Sequence, residues 1–281
     1  MAGLLSGLSE LGLGGLENME VYKQPEDKEA EKQAEEKPEV KEETFLFDKS
    51  YECPVCYQGF KAKTVRSGKL RSLGTDRDLR PLYDQMEPLK YDVVICPHCG
   101  YAALTRFFGG LTAGQIKAIK ENISANFHPV KEEKETYTYE EALYRYKLCL
   151  ANTIVKHGKV SEKAYICLKA GWLLRSMGEN LDPAEEDYNK KMQEIKVQEK
   201  DFLKNALDGL ITARQTESYP ICGMDEVTLE YLIAVLAMEF EKYDISSRLI
   251  YNILNTPTVN NRIKDKAREV KDELLQQMGK K

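Results

Sequence analysis

The chain has 281 residues, of which 42% are hydrophobic and 31% charged, enough to bury a core of one large or two modest domains. Its 41 Lys plus Arg against 46 Asp plus Glu give a net charge of -5, which excludes a wholly basic nucleic-acid binder and a wholly acidic disordered chain. No apolar run approaches the ~20 residues of a membrane span, so none is expected.

The first segment, 1–43, carries five Lys against twelve acidic residues, so the acidity is local and the remainder is close to neutral. Residues 1–20 repeat Leu and Gly: Leu4, Leu8 and Leu11 have helical spacing, but Gly12, Gly14 and Gly15 oppose a helix. The segment reads as a loose terminus or as a short docking motif that orders on a partner. Residues 21–43 have almost no apolar side chains and read as a solvated acidic linker. The Leu-rich start has no basic leader region, and Glu10 and Glu17 interrupt it, so a cytoplasmic chain is expected. In a reducing compartment, paired cysteines point to metal or redox chemistry rather than to disulfides.

Residues 44–111 change to short alternating stretches with turn residues, the pattern of a small β module. Two Cys-x-x-Cys pairs stand in it, CPVC at Cys53 and Cys56 and CPHC at Cys96 and Cys99. Each such turn puts two thiolates on one side of a tight loop, and two turns supply the four soft ligands of a tetrahedral site. Zinc is the expected ion, and tetrahedral iron takes the same ligands. The 39 residues between Cys56 and Cys96 exceed the ~15–20 of a compact ribbon, so one or two extra hairpins are expected there. Gly100 can take positive φ after the second pair, whereas the first pair is followed by Tyr57 and has its nearest Gly at 59. His98 is expected outside the ligand set. CPHC also admits a redox reading, in which VVICPHCGYAALTRFF would be strand, turn and helix with a reactive thiol at the helix start.

Between the pairs, residues 61–80 carry Lys61, Lys63, Arg66, Lys69, Arg71, Arg77 and Arg80 against Asp76 and Asp78. This stretch could contact phosphates, or could be a solvated strand face, and it lacks aromatics to stack bases.

From 112 to 281 the pattern is helical. Thr112 with Gln115 and Thr138 with Glu141 form possible capping boxes. In the second of these helices Leu143, Tyr146, Leu150 and Ile154 share one expected face, and Gly158 follows its end. Ala164, Leu168 and Trp172 make the next stripe. Asp182 and Pro183 are expected to start a long helix through Ile195 and Leu210, Asp225 caps another, and Ile263, Ala267, Val270 and Leu274 mark the last. Cys149, Cys167 and Cys222 read as buried small side chains. No catalytic constellation is visible.

CPVCYQGFKAKTVRSGKLR, the Asp76/Asp78 segment and LKYDVVICPHCGYAA, in series, resemble the bacterial domain-of-unknown-function family 2225 over residues 44–275. The resemblance implies the paired knuckles but no activity. AYICLKAGWLLRSMGE with FLKNALDGLITA, and YLIAVLAMEFEKYDISSRLIYNIL, look like degenerate tetratricopeptide repeats, which implies a peptide- or protein-binding surface. The expected protein is therefore α+β. A zinc-ribbon-like module is followed by an all-α repeat domain, acting as a non-enzymatic adaptor for a protein partner. A nucleic-acid-binding ribbon and a thiol oxidoreductase are the alternatives.

Overall fold

The computed structural model describes residues 41–128 and 135–279. The expectations for residues 1–40, including the Leu/Gly segment and most of the acidic linker, lie outside them. The described chain is α+β, with three two-stranded antiparallel sheets first and helices after them.

Strands β1 (Leu46–Glu52) and β2 (Gly59–Val65) pair from Leu46↔Val65 to Glu52↔Gly59. Strands β3 (Ser72–Thr75) and β4 (Pro81–Tyr83) form the one extra hairpin that the long Cys spacing requires, with an irregular register beside Gly74. Strands β5 (Val93–Ile95) and β6 (Ala102–Leu104) pair as Val93↔Leu104, Val94↔Ala103 and Ile95↔Ala102. Successive side chains on a strand point to opposite faces. The β5–β6 hairpin uses both. Val93, Ala102 and Leu104 join the large helical core, whereas Val94, Tyr101 and Ala103 join a smaller core with the four knuckle cysteines, Val55, Phe108 and Ile119. The hairpin is thus a wall shared by the two cores.

The described helices are α1 (Ala113–Ile119), α2 (Tyr139–Val155), α3 (Val160–Glu179), α4 (Tyr188–Thr216), α5 (Glu226–Glu239), α6 (Tyr243–Asn255) and α7 (Asn261–Met278). Both capping boxes are present, Thr112 with Gln115 and Thr138 with Glu141. Helix α4 spans 29 residues but starts at Tyr188, five residues later than expected. The Asp182 carboxylate accepts from the Ala184 N–H and closes a turn instead of capping the helix. In α2 the buried face runs through Ala142, Tyr146, Cys149 and Thr153, and Ile154 is exposed, so that face is rotated from the expected stripe.

Two interhelical turns reverse the chain without glycine at the left-handed position. After α2, His157 (φ 51) donates its N–H to Ile154 O and Gly158 donates to Thr153 O. After α5, Glu241 (φ 56) donates to Met238 O and Lys242 to Ala237 O. This pair of bonds is the Schellman closure, which satisfies the orphan carbonyls at a helix end. Sequential helices pack on one another, α3 on α2 and α4, and α6 on α5 and α7. Helix α5 is buried from Leu229 to Met238, as its near-continuous apolar sequence requires. No helix of the described residues is long and apolar enough to cross a membrane.

Candidate metal centre

The two Cys pairs occupy the loops of two hairpins, β1–β2 and β5–β6. Their backbone bonding is the same in both. The N–H of the first cysteine donates across the loop, Cys53 to Gln58 O and Cys96 to Tyr101 O. The residue after the second cysteine folds back, Tyr57 donating to Cys53 O and Gly100 to Cys96 O. Both of these residues are left-handed, Tyr57 at φ 61 and Gly100 at φ 72. The expected role of Gly100 is therefore met. At the first knuckle an exposed tyrosine takes a conformation that costs an L side chain about 1–2 kcal/mol.

The Sγ atoms of Cys53, Cys56, Cys96 and Cys99 all lie within 4.8 Å of one another. Cys53 Sγ is 3.5 Å from Cys99 Sγ, and Cys56 Sγ is 3.6 Å from Cys96 Sγ. A tetrahedron of Zn–S bonds of about 2.3 Å needs sulfurs roughly this far apart. Cys53, Cys96 and Cys99 are buried, and Cys56 is the half-buried member. The Val55 N–H points at Cys53 Sγ from 3.4 Å, the kind of backbone donor that stabilises a thiolate.

Thiols this close titrate as a unit. Hydrogen bonds from Cys96 and then Cys99 pull Cys53 down to about 2. The same Cys53 bond leads the rise of Cys96 to about 12, and Cys99 is also pushed up. A divalent cation held by these sulfurs would compete with their protons, so binding there would release protons.

The cluster is held from the helical side. Asn152 on α2, fully buried, donates through Nδ2 to Gly100 O at 3.1 Å and to Leu148 O at 3.0 Å. Arg145 donates to Val93 O and Tyr146 to Leu89 O. A Cβ on Gly100 would collide with the Phe127 ring. Nothing in the spacing of α2 marks Asn152 for this task.

His98 is exposed and is not part of the cluster. Residues 93–104 form strand, knuckle and strand rather than strand, turn and helix, so CPHC lacks the helix start that the redox reading needs. Cys149 and Cys167 are buried, and burial pushes both thiols up, Cys167 to about 11. Cys222 is half-buried and donates to Ser161 O.

The basic stretch is divided. Lys63 pairs with Asp48 at 3.0 Å, Arg66 Nε donates to Leu46 O, and Arg71 stands 3.8 Å from Asp84. Arg77 pairs with Glu273, and Arg80 is buried against Asp76, Ser176 and Glu179. The last two residues serve the fold rather than an open basic patch.

A family model of uncharacterized proteins conserved in bacteria, DUF2225, matches residues 46–274, and the chain belongs to that family. No curated protein and no solved structure matches it.

Proposed function

We propose that the chain is a non-enzymatic adaptor that binds another protein, built around one structural zinc ion held by Cys53, Cys56, Cys96 and Cys99. The observation that supports the metal is the convergence of four sulfurs, from loops 40 residues apart, within 4.8 Å. Four protein ligands leave no position for water or substrate, which favours a structural over a catalytic ion. The ion would tie the β1–β2 loop to the β5–β6 wall and, through Asn152, to α2. Sequential helix packing beyond that wall supports a binding surface of the tetratricopeptide kind.

The test begins with elemental analysis of protein purified without added metal, together with a free-thiol count. One zinc per chain, lost in Cys53→Ser, is the expected result; iron would instead give a coloured protein. Metal-free protein with a reversible Cys96–Cys99 disulfide would overturn the zinc reading and favour an oxidoreductase. The adaptor reading fails if no protein partner is retained by the metal-loaded chain under conditions where helix-surface substitutions can be compared.

A further inference from the structure

The β3–β4 hairpin sits on the helices in an unusual way. Between residues 66 and 88 the buried residues are Asp78 and Arg80, both 3% exposed. Asp78 Oδ2 accepts from Trp172 Nε1 at 2.9 Å and from Arg175 Nη1 at 2.8 Å. Arg80 forks onto Glu179, Nη1 to Oε2 at 2.9 Å and Nη2 to Oε1 at 2.7 Å, and also reaches Ser176 Oγ at 2.8 Å. On the neighbouring helices, Tyr231 of α5 donates to Arg77 O at 3.0 Å, Lys266 of α7 donates to Thr75 Oγ1 at 2.9 Å, and Glu273 of α7 pairs with Arg77. Three helices thus grip residues 75–80 through these polar and ionic contacts, and Leu79 packs against the large core between them.

Such a grip is specific without being strong. Desolvating an ion pair roughly cancels its attraction, so the docked hairpin gains register more than stability. A two-stranded sheet of four and three residues does not hold itself together in water. Between the two anchors Leu79 is left-handed, at φ 68, a conformation L side chains rarely adopt and one that release would relax. The flanking residues 66–69, 71–73 and 84–85 are exposed, so few buried contacts outside residues 75–80 hold the hairpin down.

We propose that the face formed by Trp172, Arg175, Ser176 and Glu179 is a partner-binding surface that residues 75–80 occupy in cis. The partner segment it fits is a turn carrying an Asp and an Arg two residues apart, which enters as the hairpin leaves. The proposal rests on the adaptor reading and names the surface and the chemistry of its partner. The guanidinium fork of Glu179 and the paired donors of Trp172 and Arg175 set the order of the two charges.

Trp172 is the sole tryptophan of the chain, so its indole N–H gives one resolved proton signal. In the full-length metal-loaded protein that proton is expected to exchange at least 10-fold faster than the amides of Leu173 and Leu174. Exchange no faster than those amides overturns the lifting hairpin. A fluorescein-labelled peptide of residues 70–84 supplies the second test. It is expected to bind full-length Asp78→Ala/Arg80→Ala at least 10-fold more tightly than wild type, whose own hairpin competes at a local concentration of order mM. The peptide carrying the same two alanines should not bind. Equal binding of the two peptides, or none to a variant that keeps its metal and helical circular dichroism, overturns the proposal. If the double variant does not fold, Arg80→Lys, which keeps the charge and loses the fork, should still bind the peptide more tightly than wild type; no gain overturns the proposal. Both readouts are independent of whether a natural protein partner is found, so failure here and failure of the adaptor reading are told apart.

Discussion

The two knuckles share one backbone but place different residues at the left-handed position, Tyr57 and Gly100, so substitutions there should have different outcomes. Gly100→Ala places a methyl group at φ 72, where the left-handed penalty is about 1–2 kcal/mol. The same methyl meets the Phe127 ring, and overpacking of this kind costs roughly 1–3 kcal/mol. Together they predict a loss of about 2–5 kcal/mol. Tyr57→Gly relieves about 1–2 kcal/mol at φ 61 and loses roughly 0.5–1 kcal/mol to the greater freedom of unfolded glycine. It also forfeits the Lys120 cation–π contact, 5.9 Å from the ring centroid, worth about 0.5 kcal/mol at an exposed site. The net change lies between a loss of about 0.5 and a gain of about 1 kcal/mol. Urea unfolding of the metal-loaded variants, at fixed free zinc, measures both. Gly100→Ala should lower the melting temperature by ~4–20 °C, at about 2–4 °C per kcal/mol for a chain of this size. A Gly100→Ala loss below about 0.5 kcal/mol, or equal losses at both positions, would refute the account of the two loops.

Asn152→Ala removes the donor to Gly100 O, and outer-sphere losses of this kind typically weaken metal binding about 10–100-fold. Competition with a chelator reads the affinity, and an unchanged constant would detach α2 from the centre. Acid should expel the metal as protons compete for the thiolates, so the released zinc, followed with a chromogenic chelator, should rise steadily as pH falls. Asp225→Ala removes the N-cap of α5 and should cost about 1 kcal/mol near neutral pH. The Thr228 contact holds the Asp225 carboxyl below its usual 3.8, so this contribution is complete above that value and fades as pH falls through the lower one. Wild type and Asp225→Ala should therefore converge in stability in strong acid; a gap that stays constant with pH would rule out the carboxylate as the cap.

The features legible in the sequence are those set by local chemistry. Cys-x-x-Cys spacing, capping boxes at Thr112 and Thr138, and the apolar length of α5 each bring their own structure with them. Position along the chain was less legible where a second solution to the same local problem exists. Asp182-Pro183 has the letters of a helix start, yet the same carboxylate closes a turn two residues on and the helix waits until Tyr188. The α2 face departs from the expected stripe at Ile154 because periodicity counts apolar residues only. The real face is turned toward Cys149 and Asn152, polar or small residues whose partners lie on β5–β6.

The charged hairpin carries this furthest. In sequence the buried Arg80 reads like the exposed bases at Lys61 and Lys69, and the buried Asp78 like any surface acid, because a charge declares its surroundings only when its partner is known. The hairpin's partners, Trp172, Arg175, Glu179 and Glu273, lie some 94 to 196 residues later in the chain. An apolar anchor would bind any hydrophobic face during folding, whereas a carboxylate and a guanidinium two residues apart accept only the one arrangement of donors and acceptors that α3 presents. The four clustered cysteines join the β1–β2 loop to the β5–β6 loop, and Asp78 and Arg80 join the intervening hairpin to α3.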